Sequence, residues 1–215
     1  MNKVFESYKI EYGDDIYNFI NNKSYIENPN IKLEDLRLIK LLYYDFNKKI
    51  KEGKIIVNKL IEEDILDIFT ELYKNKYQLN SVNLVEDYWC KDSLTTDKVS
   101  MANNNSSAFN YRIIDGKDYL SYHALGLAVD INPINNPYIT NKNGKLDYDS
   151  LSEQEKYYAL NRDKRNEHVI THDDLAYKLF IEHGFEWGGD WNPEIDPVDY
   201  QHFEKPVISN KILVK

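Results

Sequence analysis

The most constraining stretch of this sequence is Ser121-Tyr-His123-Ala-Leu-Gly126-Leu-Ala-Val-Asp130-Ile-Asn132. From Gly126 to Ile131 the apolar character alternates. Leu127, Val129 and Ile131 fall on one side, and Ala128 and Asp130 on the other, which is the period of a strand with a core face. An aspartate next to a small alanine on the second face marks a site rather than a packing position. Gly126 lets the backbone turn tightly enough for His123 and Asp130 to converge.

A hydrolytic metal site needs three ligands of the His/Asp/Glu type, an open position for water and a carboxylate nearby to handle the proton. The C-terminal stretch Asp199-Tyr-Gln-His202 offers the remaining candidates. His202 would come from a last strand around Tyr200 to Glu204, with Asp199 three residues earlier. Residues i and i+3 of a straight strand point to opposite faces, so Asp199 is expected on a loop. The other histidines invite ordinary readings: His168 and His172 in polar surroundings, and His183 before Gly184, where an imidazolium suits the end of a helix.

The rest of the chain reads as one α+β domain spanning 1–215. Residues 1–80 form a helical N-terminal part and 81–215 the catalytic sheet and site. Leu33, Leu36, Ile39, Leu41 and Leu42 have helical spacing over Leu33 to Tyr44, and Asn58 to Tyr77 repeats that spacing more strongly. Lys54 to Val57 and Ser81 to Tyr88 read as strands, and polar Lys91 to Ser107 as a loop. Tyr138 to Val169 is a polar excursion too long for a simple connection, either a wall or lid of the site or a surface insertion. Thr171 with Asp174 suggests a capping box for a helix ending at Gly184.

The net charge of −9 argues against nucleic acid as a partner, because a polyanion needs a Lys/Arg footprint. Cys90 is the only cysteine, so no internal disulfide forms, and Tyr88 and Trp89 beside it suggest a buried, inert thiol. The 18 tyrosines offer amphipathic surface for a polar groove. Met1 to Tyr12 is no secretory apolar segment, and nothing approaches the ~20 apolar residues of a membrane span. A monomer is expected.

The segment Ser121 to Asp130 resembles the Ser-x-His-x-x-Gly-x-Ala-x-Asp motif of the D-alanyl-D-alanine carboxypeptidase and L-alanyl-D-glutamate endopeptidase family of zinc peptidases. Asp199-Tyr-Gln-His202 resembles its second element. The resemblance runs roughly from Ser107 to Glu204. It implies a hedgehog/DD-peptidase-like fold, in which a small antiparallel sheet carries the zinc site and N-terminal helices pack on it. It also implies Zn2+ held by His123, Asp130 and His202, Asp199 as general base and acid, and Ser121 orienting a ligand. Arg112, in Ser107-Ala-Phe-Asn-Tyr111-Arg112, is the candidate for stabilising the oxyanion or a substrate carboxylate, although the family arginine usually lies further upstream. Ser107, Tyr111, Asp190 and Trp191 are candidates for substrate contact.

Aspartate at position 199 and the stretch Gly188-Gly189-Asp190-Trp191 resemble the endopeptidase branch, which implies cleavage between L-alanine and D-glutamate of the peptidoglycan stem peptide. The alternatives are a D-alanyl-D-alanine carboxypeptidase and a zinc-containing wall-binding module without catalysis. A non-haem iron oxygenase fits poorly, since such sites typically read His-x-Asp. The expected place of action is extracellular or in the cell wall. A leader or anchor not seen in this sequence would take the protein there, or it would be released from the cytoplasm as phage lysins are.

Overall fold

The computed structural model describes residues 5–206. Its architecture is α+β, with small, mostly antiparallel sheets and five α-helices among those residues. The N-terminal half is built on a three-stranded antiparallel sheet of β1 (Glu6–Lys9), β2 (Leu36–Tyr44) and β3 (Ile50–Asn58), with the short helix α1 (Asp15–Ile20) before β2. Helix α2 (Glu62–Lys74) follows β3 and buries Ile65, Ile68, Phe69 and Leu72 against the sheet.

Leu33 to Tyr44 is therefore mostly a strand, not the helix its spacing suggests. The reason is burial on both faces. Ile39, Leu41 and Tyr43 pack into the main core, while Leu36 and Leu38 on the opposite face join a second apolar cluster with Ile20, Tyr25 and Phe109. Two interleaved apolar faces imitate a helical period. The 1–80 part is consequently a sheet with helices rather than a helical bundle.

Strand β4 (Ser81–Val82) is two residues long, and Val85–Tyr88 beyond it is a 3-10 turn rather than more strand. Lys91 to Ser107 is not a loop but contains helix α3 (Ser93–Ala102), followed by β5 (Asn105–Ser106), which pairs in parallel with β4. The Asp92 side chain caps α3 by accepting from Thr95 N at 2.8 Å. Its inward face carries Thr96, Asp97 and Ser100, so no apolar stripe betrays it. Cys90 is exposed, contrary to the buried thiol expected from its neighbours.

Strand β6 (Ala128–Asp130) lies in the middle of the chain. The excursion after it is ordered as a hairpin of β7 (Tyr138–Lys142) and β8 (Lys145–Asp147), followed by α4 (Glu153–Leu160). Asn143 and Gly144 both have positive φ at the hairpin tip, as a two-residue type I′ turn requires. Helix α5 (Leu175–Glu182) is capped by Asp174 alone, whose carboxylate accepts from Ala176 N at 2.8 Å, so the expected box with Thr171 is not formed. The chain then forms β9 (Glu186–Trp187), β10 (Val198–Asp199) and β11 (His202–Glu204). Strand β11 sits between β6 and β9, and β10 pairs with β7.

Candidate metal centre

Asp130 and His202 are directly opposite one another in the antiparallel β6–β11 pair. Directly opposed residues share a face at close Cβ separation, so the pairing register alone brings these side chains together. His123 arrives from the 3-10 turn Tyr122–Leu125, which Ser121 starts by accepting from His123 N at 3.2 Å. Gly126 ends that turn at φ +67°, and a Cβ there would lie 2.7 Å from Asn58 N. Both the left-handed backbone and the close approach to β3 require glycine.

The three side chains are buried and their donor atoms form a small triangle. His202 Nδ1 is 3.1 Å from Asp130 Oδ1 and 3.1 Å from His123 Nε2, and His123 Nε2 is 3.2 Å from Asp130 Oδ1. A tetrahedral ion with bonds of about 2.0–2.1 Å sets its ligand atoms roughly 3.3 Å apart. The triangle thus fits one metal ion. The remaining ring nitrogens are occupied: His123 Nδ1 donates to Ala108 O at 2.5 Å, and His202 Nε2 donates to Glu204 Oε2 at 2.9 Å.

Burial alone would raise Asp130, but His123 and His202 outweigh it and hold its carboxyl well below the ordinary carboxylate range. Burial would likewise lower His202, yet its bonds to Asp130 and Glu204 prevail and push it up. This is a polarised cluster that accepts a cation, whether protons or a metal ion.

Asp199 lies on β10 rather than on a loop. Successive strands β10 and β11 belong to different sheets, separated by the turn at Tyr200 and Gln201, so the i, i+3 spacing does not force the two side chains apart. Its Oδ1 is buried without a hydrogen-bond partner. Burial is the largest cause pushing its carboxyl up, against the His202 charge and with help from Asp130. Gly188 packs on this strand so closely that a Cβ would meet Asp199 O at 2.6 Å, which accounts physically for glycine at the start of Gly188-Gly189-Asp190-Trp191. Trp187 Nε1 donates to Tyr200 O at 2.9 Å and fixes the turn between Asp199 and His202.

Residues 115–205 match the family model described as D-alanyl-D-alanine carboxypeptidase. The match supports the resemblance carried by the two motifs and covers less than half of the chain. It includes His123, Asp130, Asp199 and His202 and stops short of Arg112. No curated protein and no solved structure matches the chain.

The other candidate residues are placed unevenly. The ring of Trp191 lies 5.5 Å from that of His202, beside the triangle. Asp190 is exposed and bonded to His172 Nε2 at 2.6 Å. Arg112 Nη2 pairs with Asp97 Oδ2 of α3 at 2.8 Å, and the guanidinium charge acts on Asp199. Ser107 is buried and exchanges backbone hydrogen bonds with Asp130, a strand partner more than a substrate contact. Tyr111 packs against the N-terminal cluster with its hydroxyl accepting from Asn30 Nδ2 at 2.9 Å.

Of the remaining histidines, His168 stacks on Phe46 and His183 pairs with Asp64. Sequence reading missed Asp97, which lay in a presumed loop, and Tyr138, which stands opposite Asp199 in the β10–β7 pair with its side chain exposed. Glu204 was readable. Two positions beyond His202 on one strand, it must share that residue's face.

Proposed function

We propose that the protein is a zinc peptidase that hydrolyses the peptide part of bacterial peptidoglycan at the cell wall, with the L-alanyl–D-glutamate bond as its target. The observation that carries this reading is the buried triangle of His123, Asp130 and His202 beside a buried Asp199 with an unpartnered oxygen. Zinc in such a site supplies a Lewis acid and lowers the pKa of water to about 7.

Asp199 contributes the proton handling. Its raised proton affinity suits a group that takes a proton at the carboxylate and returns it to the leaving amine nitrogen. Arg112, tied to Asp97 and close enough for its charge to act on Asp199, is the candidate donor to an oxyanion or a peptide carbonyl. Trp191 and Tyr138 flank the place where a stem peptide would lie.

The choice of bond rests on charge as well as on the branch-like residues. A carboxypeptidase needs a cation for the terminal carboxylate, and Arg112 is already balanced by Asp97. The description of the matching family favours the second reading, D-alanyl-D-alanine cleavage. Incubating the protein with a wall pentapeptide and weighing the products separates the two. A new D-glutamate amino terminus is expected; free D-alanine without it would establish the carboxypeptidase instead.

A further inference from the structure

We propose that Glu204 is a positioning residue that determines which nitrogen of His202 faces the metal, and that retention of zinc depends on it. The inference rests on the zinc reading of the triangle. His202 and Glu204 are two apart on β11 and project from the same face. Glu204 Oε2 accepts from Nε2 of the ring at 2.9 Å, which leaves Nδ1 pointing at Asp130 Oδ1 and His123 Nε2, 3.1 Å from each. The two side chains are only 7% and 16% exposed, so the pair is shielded from competing water.

The strand pairing gives an independent reason to see a role here. Glu204 stands directly across from Glu186 on β9, and like charges in directly opposed positions are destabilising. On its other side stands Ala128, which offers no side-chain donor. The bond to His202 is what compensates a carboxylate in that place. His123 offers a contrast. Its orientation is set by the backbone carbonyl of Ala108, which no side-chain substitution removes, whereas that of His202 hangs on one replaceable carboxylate. An acceptor on the far nitrogen of a ligand histidine fixes its ring and raises its basicity.

The test compares zinc affinity of the wild-type chain, Glu204→Ala and Glu204→Gln by competition with a chromophoric chelator. Glu204→Ala should bind zinc about 10–100-fold more weakly, the usual effect of losing such a partner. Glu204→Gln should recover most of the loss, because its amide oxygen still accepts from Nε2. Glu186→Gln should leave affinity unchanged. Nitrogen-15 NMR of the zinc-loaded wild type should show the His202 proton on Nε2 and the metal on Nδ1. Unchanged affinity in Glu204→Ala, or metal on Nε2 in the wild type, overturns the proposal even if the alanine variant folds poorly. A wild-type chain that binds no zinc overturns the zinc reading itself, a different result.

Discussion

Glu86 in the N-terminal half and Asp199 in the C-terminal half are both buried carboxyls that burial pushes above the ordinary carboxylate range. Glu86 accepts a hydrogen bond from the Ser24 hydroxyl at its Oε1, and the charges acting on it are those of Lys23 and Asp87, which oppose one another. Asp199 instead lies within the fields of His202, Asp130, Arg112 and Asp97. Burial alone makes a carboxyl a pH-dependent stability element. Burial beside imidazoles arranged for a cation makes it a candidate for chemistry.

The comparison breaks most severely if the C-terminal cluster is not a metal site. His123→Ala, Asp130→Ala and His202→Ala should each take bound zinc from about one equivalent to nearly none, since three protein ligands leave no redundancy. Elemental analysis after dialysis reads this directly, and stoichiometric zinc in all three variants would reduce the triangle to a buried ion-pair network. The next largest effect separates binding from chemistry. Asp199→Ala should keep its zinc and lose about 10²- to 10⁴-fold in turnover on a wall peptide. Turnover near that of the wild type would place the base elsewhere.

Glu86 tests the other side. Its carboxyl is raised from 4.5 to about 7, so the folded chain holds this proton more tightly than the unfolded one. The stabilisation is complete below about pH 4.5 and is lost as pH rises through 7. A shift of this size corresponds to roughly 3 kcal/mol at most across that window. Denaturant melts should therefore show a falling contribution between those pH values in the wild type and a flatter profile in Glu86→Gln. Identical slopes would mean that Glu86 titrates as an ordinary surface acid.

The same contrast explains what was legible in the sequence. The metal cluster depends on residue types at fixed spacing and on a strand pair, Asp130 opposite His202, whose alternation is visible in Leu127, Val129 and Ile131. The architecture beneath it depends on which faces are covered, and composition does not carry that. Leu33 to Tyr44 looked helical because both faces of β2 are buried. Helix α3 looked like a loop because Thr96, Asp97 and Ser100 face inward. Asp97, the partner of Arg112, was hidden with it. The Asn143-Gly144 turn was a readable hairpin signal inside the excursion: it folds β8 onto one edge of β7, and β10 pairs with the other edge, which sets Tyr138 opposite Asp199.

The smallest expected effect concerns His172, which sits near the cluster yet outside the triangle. Its Nε2 bonds Asp190 Oδ1 at 2.6 Å, and its ring meets Tyr177 and Trp187 edge-on, with centroids at 4.8 and 5.4 Å. That environment resembles a site, but the side chains of His172 and Asp190 are 67% and 44% exposed, and no third ligand faces them among the described residues. Solvent screens an ion pair of this kind to less than about 1 kcal/mol. His172→Ala should accordingly keep full zinc content and melt within that margin of the wild type. The pair reaches the metal centre through the chain from Asp190 to Trp191, whose ring lies against His202, and through Trp187, which the His172 ring meets and which holds the turn before His202. If His172→Ala lost zinc along with the ligand variants, the Asp190 turn would be holding the third ligand in place, and the boundary between site and surface would move outward to include it.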